Sequence, residues 1–337
     1  MMKTNPWAWI PTLYFAEGLP NIIVTALSVF MYMQMGLSDA DVALYAGWLC
    51  LPWVLKPLWS PFIDILKTKR WWILTMQMLI GGALAGIAFT LPTAFWFQGT
   101  MFFFFSMAFA SATHDIAADG YYMLMLDEHN QTKYVGLRNT FYRLAVVFVN
   151  AGLAKLADKL ENYFHMSVVY TWTLVFYGLA GLFICIWLYH SRVMPRSDED
   201  VATQKKASDI ARELKSMFIT FFSKFELKDT IFAMVFLLLY RFPEALLNTM
   251  TKTFLMRPSA EGGLGLTLGE YGFAQGFVGI IGLLLGGIIG GVLVSRDGMK
   301  KWLWPMVCAI TLPDVVYIYL SYTLNSNIWL VSSCLFV

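Results

Sequence analysis

The chain has 337 residues, 58% hydrophobic and only 14% charged, with a mean hydropathy of +0.60. That composition excludes an ordinary soluble domain, and a formal charge of +2 whose bases are scattered between oily runs offers no basic face to a nucleic acid. The partner it implies is the lipid bilayer.

A helix needs about 20 apolar residues to cross a bilayer about 30 Å thick. Runs of that length occupy 7–34, 41–66, 71–91, 94–126, 134–156, 167–190, 230–255, 268–294 and 301–322. The first is too long for a signal-peptide core and is read as a retained span. A tenth run starts near Ile328 and stops at Val337 with no polar flank, so the sequence reads as truncated or partial. Cys50, Cys185, Cys308 and Cys334 each stand alone in apolar surroundings and read as small buried hydrophobes, with neither a metal motif nor a disulfide framework.

Charges inside these runs are the candidate functional residues, because even the mildest scales put a buried carboxylate at about 2.5–3.5 kcal/mol. In the first run Glu17 lies roughly 15 Å deep at 1.5 Å per residue, near the midplane. Gly18 and Pro20 follow it, and such breaks free carbonyls that need protein or a wet cavity. The second run carries Lys56. After it, Asp64 with Lys67, Lys69 and Arg70 forms a loop that either latches helix ends or simply anchors the chain.

The fourth run holds His114, Asp115 and Asp119, with the two acids four apart and therefore on one helix face. Asp119 and Arg143 enter the fourth and fifth runs from the same side at matching depth, so they are expected to pair, as a structural or gating contact or around a substrate or proton. Asp115, one turn deeper, is the better proton site. No third ligand stands at a metal-like spacing from His114, and no cofactor is expected. Arg241, Glu244 and Lys252 in the seventh run and Asp314 in the ninth complete the buried set, whose cations suit an anionic or zwitterionic solute. Most of the aromatic surplus belongs to lipid-facing or interfacial belts, although Tyr14, Trp53, Tyr121 and Tyr122 are of a type that stacks on sugar rings.

Loops holding Lys67, Lys69, Arg70, Lys133, Arg138, Arg296, Lys300 and Lys301 alternate with loops holding little beyond Lys159 and Arg257, which predicts a cytoplasmic N-terminus. A polar segment divides the chain into a bundle over 1–190, a linker over 191–228 with an amphipathic interfacial helix near 210–225, and an incomplete bundle over 229–337. Phe15 to Asn21 (F-A-E-G-L-P-N) matches Phe242 to Asn248 (F-P-E-A-L-L-N), and Lys69 to Trp72 matches Lys300 to Leu303, in the same order. Duplication is the simplest account. An all-α membrane protein made of two six-helix bundles repeated in parallel is the build of the major facilitator fold, whose halves rock about a midplane site.

Several motifs resemble the AmpG muropeptide permeases of that superfamily: Glu17 to Pro20 (E-G-L-P), Lys56 to Asp64 (K-P-L-W-S-P-F-I-D) and Ala110 to Asp119 (A-S-A-T-H-D-I-A-A-D). Tyr142 to Leu144, Leu156 to Asp158 and Thr251 to Arg257 extend the likeness. The resemblance implies a monomeric, proton-coupled importer of anhydromuropeptides in the bacterial inner membrane. His114 stands where those permeases usually carry Gln, and Asp119 followed by Gly120 is closer to the acetyl-CoA transporter branch; siderophore importers share much of the pattern. Another bulky anion, a transport-dead fragment and a membrane enzyme built on His114, Asp115 and Asp119 are the alternatives.

Overall fold

The computed structural model describes residues 5–197, 199–201, 212, 215–216, 219–220, 227–297, 299–311 and 314–336. Every regular element among the described residues is helical, as the oily runs predict. The chain divides into two compact units, Met1–Gln204 and Lys205–Val337.

In the first unit, α1 covers Pro6–Gln34, α2 Asp39–Leu55, α3 Ser60–Leu66, α4 Lys69–Thr90 and α5 Trp96–Met125. Helix α6, Glu128–Val147, passes through a π-helical segment, Phe148–Leu153, into α7, Ala154–Asn162, and α8 spans Val168–Val193. Ser38, Thr68, Asp127 and Ser167 each accept a hydrogen bond from the backbone N–H three residues on, which satisfies a donor the first helical turn leaves free. Five helical stretches among the described residues are long and apolar enough to cross a membrane: Pro6–Gln34, Lys69–Thr90, Trp96–Met125, Gly136–Asn162 and Val168–Val193.

Two departures from the expected spans have a backbone cause. The run over 41–66 is not one helix: α2 ends in a single 3-10 turn at Lys56–Leu58 and the chain restarts as α3, because Pro57 and Pro61 have no N–H to continue the ladder. Inside α1, Pro20 leaves the Ala16 carbonyl without its usual donor, and a π-helical segment at Ile23–Leu27 follows. That segment packs on the π-helical segment at Phe148–Leu153.

Helix α4 lies along α5 and α8, while α1 lies along α6 and α5. Trp9, Leu13, Tyr14, Ile73, Ala118 and Tyr121 belong to the core they share. Large apolar side chains such as Phe89, Phe102 and Tyr170 point outward, whereas Glu17, Gln77, Thr100, His114 and His190 are buried. A surface this oily around an interior this polar is stable only in lipid.

The second unit contains α9 (Leu227–Met256), α10 (Leu268–Tyr271), a π-helical segment at Gly272–Val278, α11 (Gly279–Asp297), α12 (Met299–Thr311), α13 (Val315–Thr323) and α14 (Ile328–Phe336). The ninth run is thus two helices rather than one. A capping box starts α10: the Thr267 hydroxyl accepts from the Glu270 N–H and the Glu270 carboxylate accepts from the Thr267 N–H. The interfacial helix expected near 210–225 lies largely outside the described residues. Cys185 and Cys308 are exposed and Cys50 and Cys334 half-buried, so the cysteines are not core residues; an apolar side chain on a bilayer-facing surface gains as much from lipid as from a core.

Candidate functional site

Asp115 and Asp119 project from one face of α5, as their spacing requires, and Glu17 of α1 shares their field together with Lys56 and Arg138. Glu17 is 6% exposed, and its Oε2 has no hydrogen-bond partner among the described residues. The Asp115 Oδ2 accepts from the Trp53 indole N–H at 3.1 Å, and the Lys56 ammonium stands 3.9 Å away. Its Oδ1 is buried and unpartnered among the described residues. Lys56 reaches Asp115 because the chain breaks at Lys56–Leu58: the turn that interrupts the second oily run carries the cation.

One turn nearer the base-rich end, the Arg138 guanidinium pairs with Asp119 Oδ1 at 2.8 Å, and the Tyr14 hydroxyl donates to the same oxygen at 3.2 Å. The guanidinium carbon also lies 4.6 Å from the centre of the Tyr14 ring and 5.8 Å from that of Tyr122, within cation–π range. The cation on Asp119 is therefore Arg138, not Arg143 as expected. The two are five residues apart on α6, about 140° around the helix, so they present different faces. The expected match in depth counts from the edge of the oily run at Tyr134, but α6 starts at its Asp127 cap. Counted from that cap, Arg138 is offset from the level of Asp119 by roughly 4.5 Å and Arg143 by roughly 12 Å. Counting from the cap is the signal that would have found Arg138.

Gly18 lets α1 and α6 approach, since a Cβ there would sit 3.0 Å from both the Ala145 Cβ and the Tyr142 carbonyl oxygen. Gly120 has another role: a Cβ there would meet the Lys69 Cε at 2.6 Å, so the lysine's hydrocarbon stem crosses over it.

His114 does not join the acids. Its fully buried ring turns the other way, where Nε2 lies 3.1 Å from the Gln77 amide of α4. The same amide meets His190 Nδ1 at 2.9 Å, and His190 Nε2 lies 2.8 Å from the Thr12 hydroxyl. This polar chain links four helices, α1, α4, α5 and α8, and no feature of the sequence pairs its members. Arg70 also has a structural setting, donating to the Met194 and Ser191 carbonyls at the end of α8 at 3.2 and 2.6 Å. The side chains of Asp64, Arg241 and Glu244 lie outside the described residues.

The profile of the Major Facilitator Superfamily matches residues 5–337. An AmpG-type transporter of Rickettsia conorii is 22% identical over 317 residues, covering 91% of this chain and 72% of the relative. The anhydromuropeptide permease of Escherichia coli K12 is 25% identical over 294 residues, covering 84% of this chain and 54% of the permease. The solved structure of a bacterial homolog of the human lysosomal transporter Spinster, inward-facing and unoccupied, shares the fold with a TM-score of 0.59 at 18% identity, covering 98% of this chain and 71% of that one.

Proposed function

This chain belongs to the Major Facilitator Superfamily and is a multi-pass membrane transporter, and we propose that it carries an anionic, sugar-and-peptide cell-wall fragment inward together with protons. The observation that carries this reading is the cluster of three acids and two bases in the first unit, in which Glu17 Oε2 and Asp115 Oδ1 are buried without partners among the described residues. A buried polar atom left unbonded costs about 1–3 kcal/mol, and a bound proton or a donor on the solute removes that cost. With every group ionised the cluster carries one excess negative charge, which a single proton balances.

The side chains divide the work. Asp115 is the proton site, with Glu17 beside it; Lys56, whose side chain is 39% exposed while Asp115's is 14%, is the cation that meets an incoming carboxylate. Arg138, Asp119 and Tyr14 form a pair-and-ring contact suited to a gate, since its members come from three helices. The relatives' names support the muropeptide class, and the protein acts on its solute by moving it, with no covalent step. Oriented with the N-terminus in the cytoplasm, uptake runs down the proton gradient.

The test is uptake of labelled anhydromuropeptide by energised membrane vesicles. Accumulation is expected to stop when the proton gradient is collapsed. Asp115→Asn is expected to abolish accumulation while preserving exchange of solute down its own gradient. Accumulation that survives loss of the gradient rejects the coupling. A ferric siderophore or an acyl-CoA taken up in place of the muropeptide rejects the cargo.

A further inference from the structure

At the base-rich end of the first unit, apart from the acid cluster, a cavity of ≈ 580 Å³ opens between the start of α4 and the end of α8. One wall is a helical stripe on α4, Trp71, Leu74, Thr75 and Met78, faced by Trp187 of α8. Trp71 and Met78 are 43% and 48% exposed, so this wall opens sideways onto the oily surface of the bundle. Over its length the stripe descends roughly 10 Å from the helix start.

The mouth of the cavity is polar and cationic. Among the described residues Arg70, Arg196, Thr68 and Ser197 line it together with the acid Asp200. That acid faces inward: it is 7% exposed, and its oxygens accept from the backbone N–H groups of Lys69 at 2.7 Å and Arg70 at 3.0 Å, the first turn of α4. Arg196 is exposed and makes no ion pair among the described residues, and its charge acts against that of Arg70. Arg70 is held by the carbonyls at the end of α8 and is partly offset by Asp200, so the exposed Arg196 is the charge left to meet an anion at this mouth, with Arg70 behind it.

We propose that this cavity binds an anionic glycerophospholipid. Its phosphate sits at Arg196 and Arg70 with the Ser197 and Thr68 hydroxyls, and one acyl chain lies along Leu74 and Met78. Charge complementarity selects the headgroup and the stripe selects the chain, since a free phosphate would leave the stripe uncovered. Tryptophans at the level of the headgroup, here Trp71 and Trp187, fit the membrane–water boundary. This inference is independent of the transported solute.

The test is native mass spectrometry of the full chain, purified in detergent and offered equal amounts of dioleoyl phosphatidylglycerol and dioleoyl phosphatidylcholine. The phosphatidylglycerol adduct is expected to dominate. Arg196→Gln is expected to weaken it about five-fold, the equivalent of the ~1 kcal/mol that one arginine gains near an anionic surface. Thr75→Trp, which fills the groove, is expected to weaken both adducts, and Lys155→Gln, at an exposed base outside the cavity, to change nothing. Equal retention of the two lipids, or a preference that survives Arg196→Gln, overturns the proposal. So does displacement of the lipid by glycerol 1-phosphate at equal concentration, which would assign the mouth to a soluble phosphate.

Discussion

Asp115 and Asp119 stand one helical turn apart yet differ in setting. Asp119 is held by a guanidinium at 2.8 Å and a tyrosine hydroxyl, with 38% of its side chain exposed; Asp115 is 14% exposed, and its cation keeps to 3.9 Å. The first arrangement is an ion pair already made, and the second leaves room for an exchangeable partner. Because the Asp119–Arg138 pair is partly solvated, its coupling is expected to be small, about 0.5–1 kcal/mol. A double-mutant cycle of Asp119→Ala and Arg138→Ala, read as thermal stability in detergent, is expected to show that coupling, while a cycle of Asp119→Ala with Arg143→Ala is expected to be additive. Coupling to Arg143 equal to that of Arg138 would mean that α6 is rotated relative to the arrangement described. The acids themselves were legible from the sequence, because two carboxylates four apart in an apolar run force one face. The cation on Asp119 was misplaced because depth was counted from the edge of the oily run, while α6 starts at the Asp127 cap and a helix rotates a side chain by about 100° per residue.

At the scale of elements, the length of an oily run hides the breaks inside it, as the single span expected over 41–66 shows. Pro57 marks an interruption, and only packing reveals that it delivers Lys56 to Asp115. The glycines make the same point. Gly18 and Gly120 look alike in sequence, yet one faces the Ala145 Cβ and the Tyr142 backbone while the other faces the end of a lysine chain. An added methyl at Gly18 must push helix against helix, so Gly18→Ala is expected to cost about 1–3 kcal/mol and to lower the melting temperature. At Gly120 the near atoms belong to the far end of a flexible side chain, which yields more cheaply than backbone, and with alanine's better helix propensity, about 1 kcal/mol over glycine, the substitution is expected to cost less than at Gly18. Melting curves of the two variants in the same detergent make the comparison. Equal losses would show that Lys69 is as rigidly held as the α1–α6 contact. The His114–Gln77–His190–Thr12 chain belongs to this scale as well: it ties four helices together, and sequence spacing cannot pair residues from such distant segments.

At the scale of the molecule, what was legible was the solvent. Apolar runs of bilayer length predict helices with oil outside, and the buried Glu17, Gln77, His114 and His190 beneath exposed Phe89 and Phe102 have that distribution. Which end of each helix faces the cytoplasm follows from a different quantity, the excess of Lys and Arg in alternate loops. Lys67 precedes α4 and Lys69 and Arg70 open it, and Arg192 lies in the last turn of α8 with Arg196 beyond it, whereas the turn between α7 and α8 carries Tyr163, Phe164 and His165 with no Lys or Arg. Moving bases across a membrane against its potential costs about 2.3 kcal/mol per charge per 100 mV, so several charges acting together are expected to set the orientation. In a variant whose four cysteines are replaced by serine or alanine, a cysteine introduced by Lys67→Cys is expected to react with a membrane-impermeant maleimide only after the cells are opened. One introduced by Phe164→Cys, an exposed position, is expected to react in intact cells. The reverse pattern would place the N-terminus outside; because a symported solute follows the protons whichever end faces the cytoplasm, import would stand while the base-rich end of the first unit would face outward.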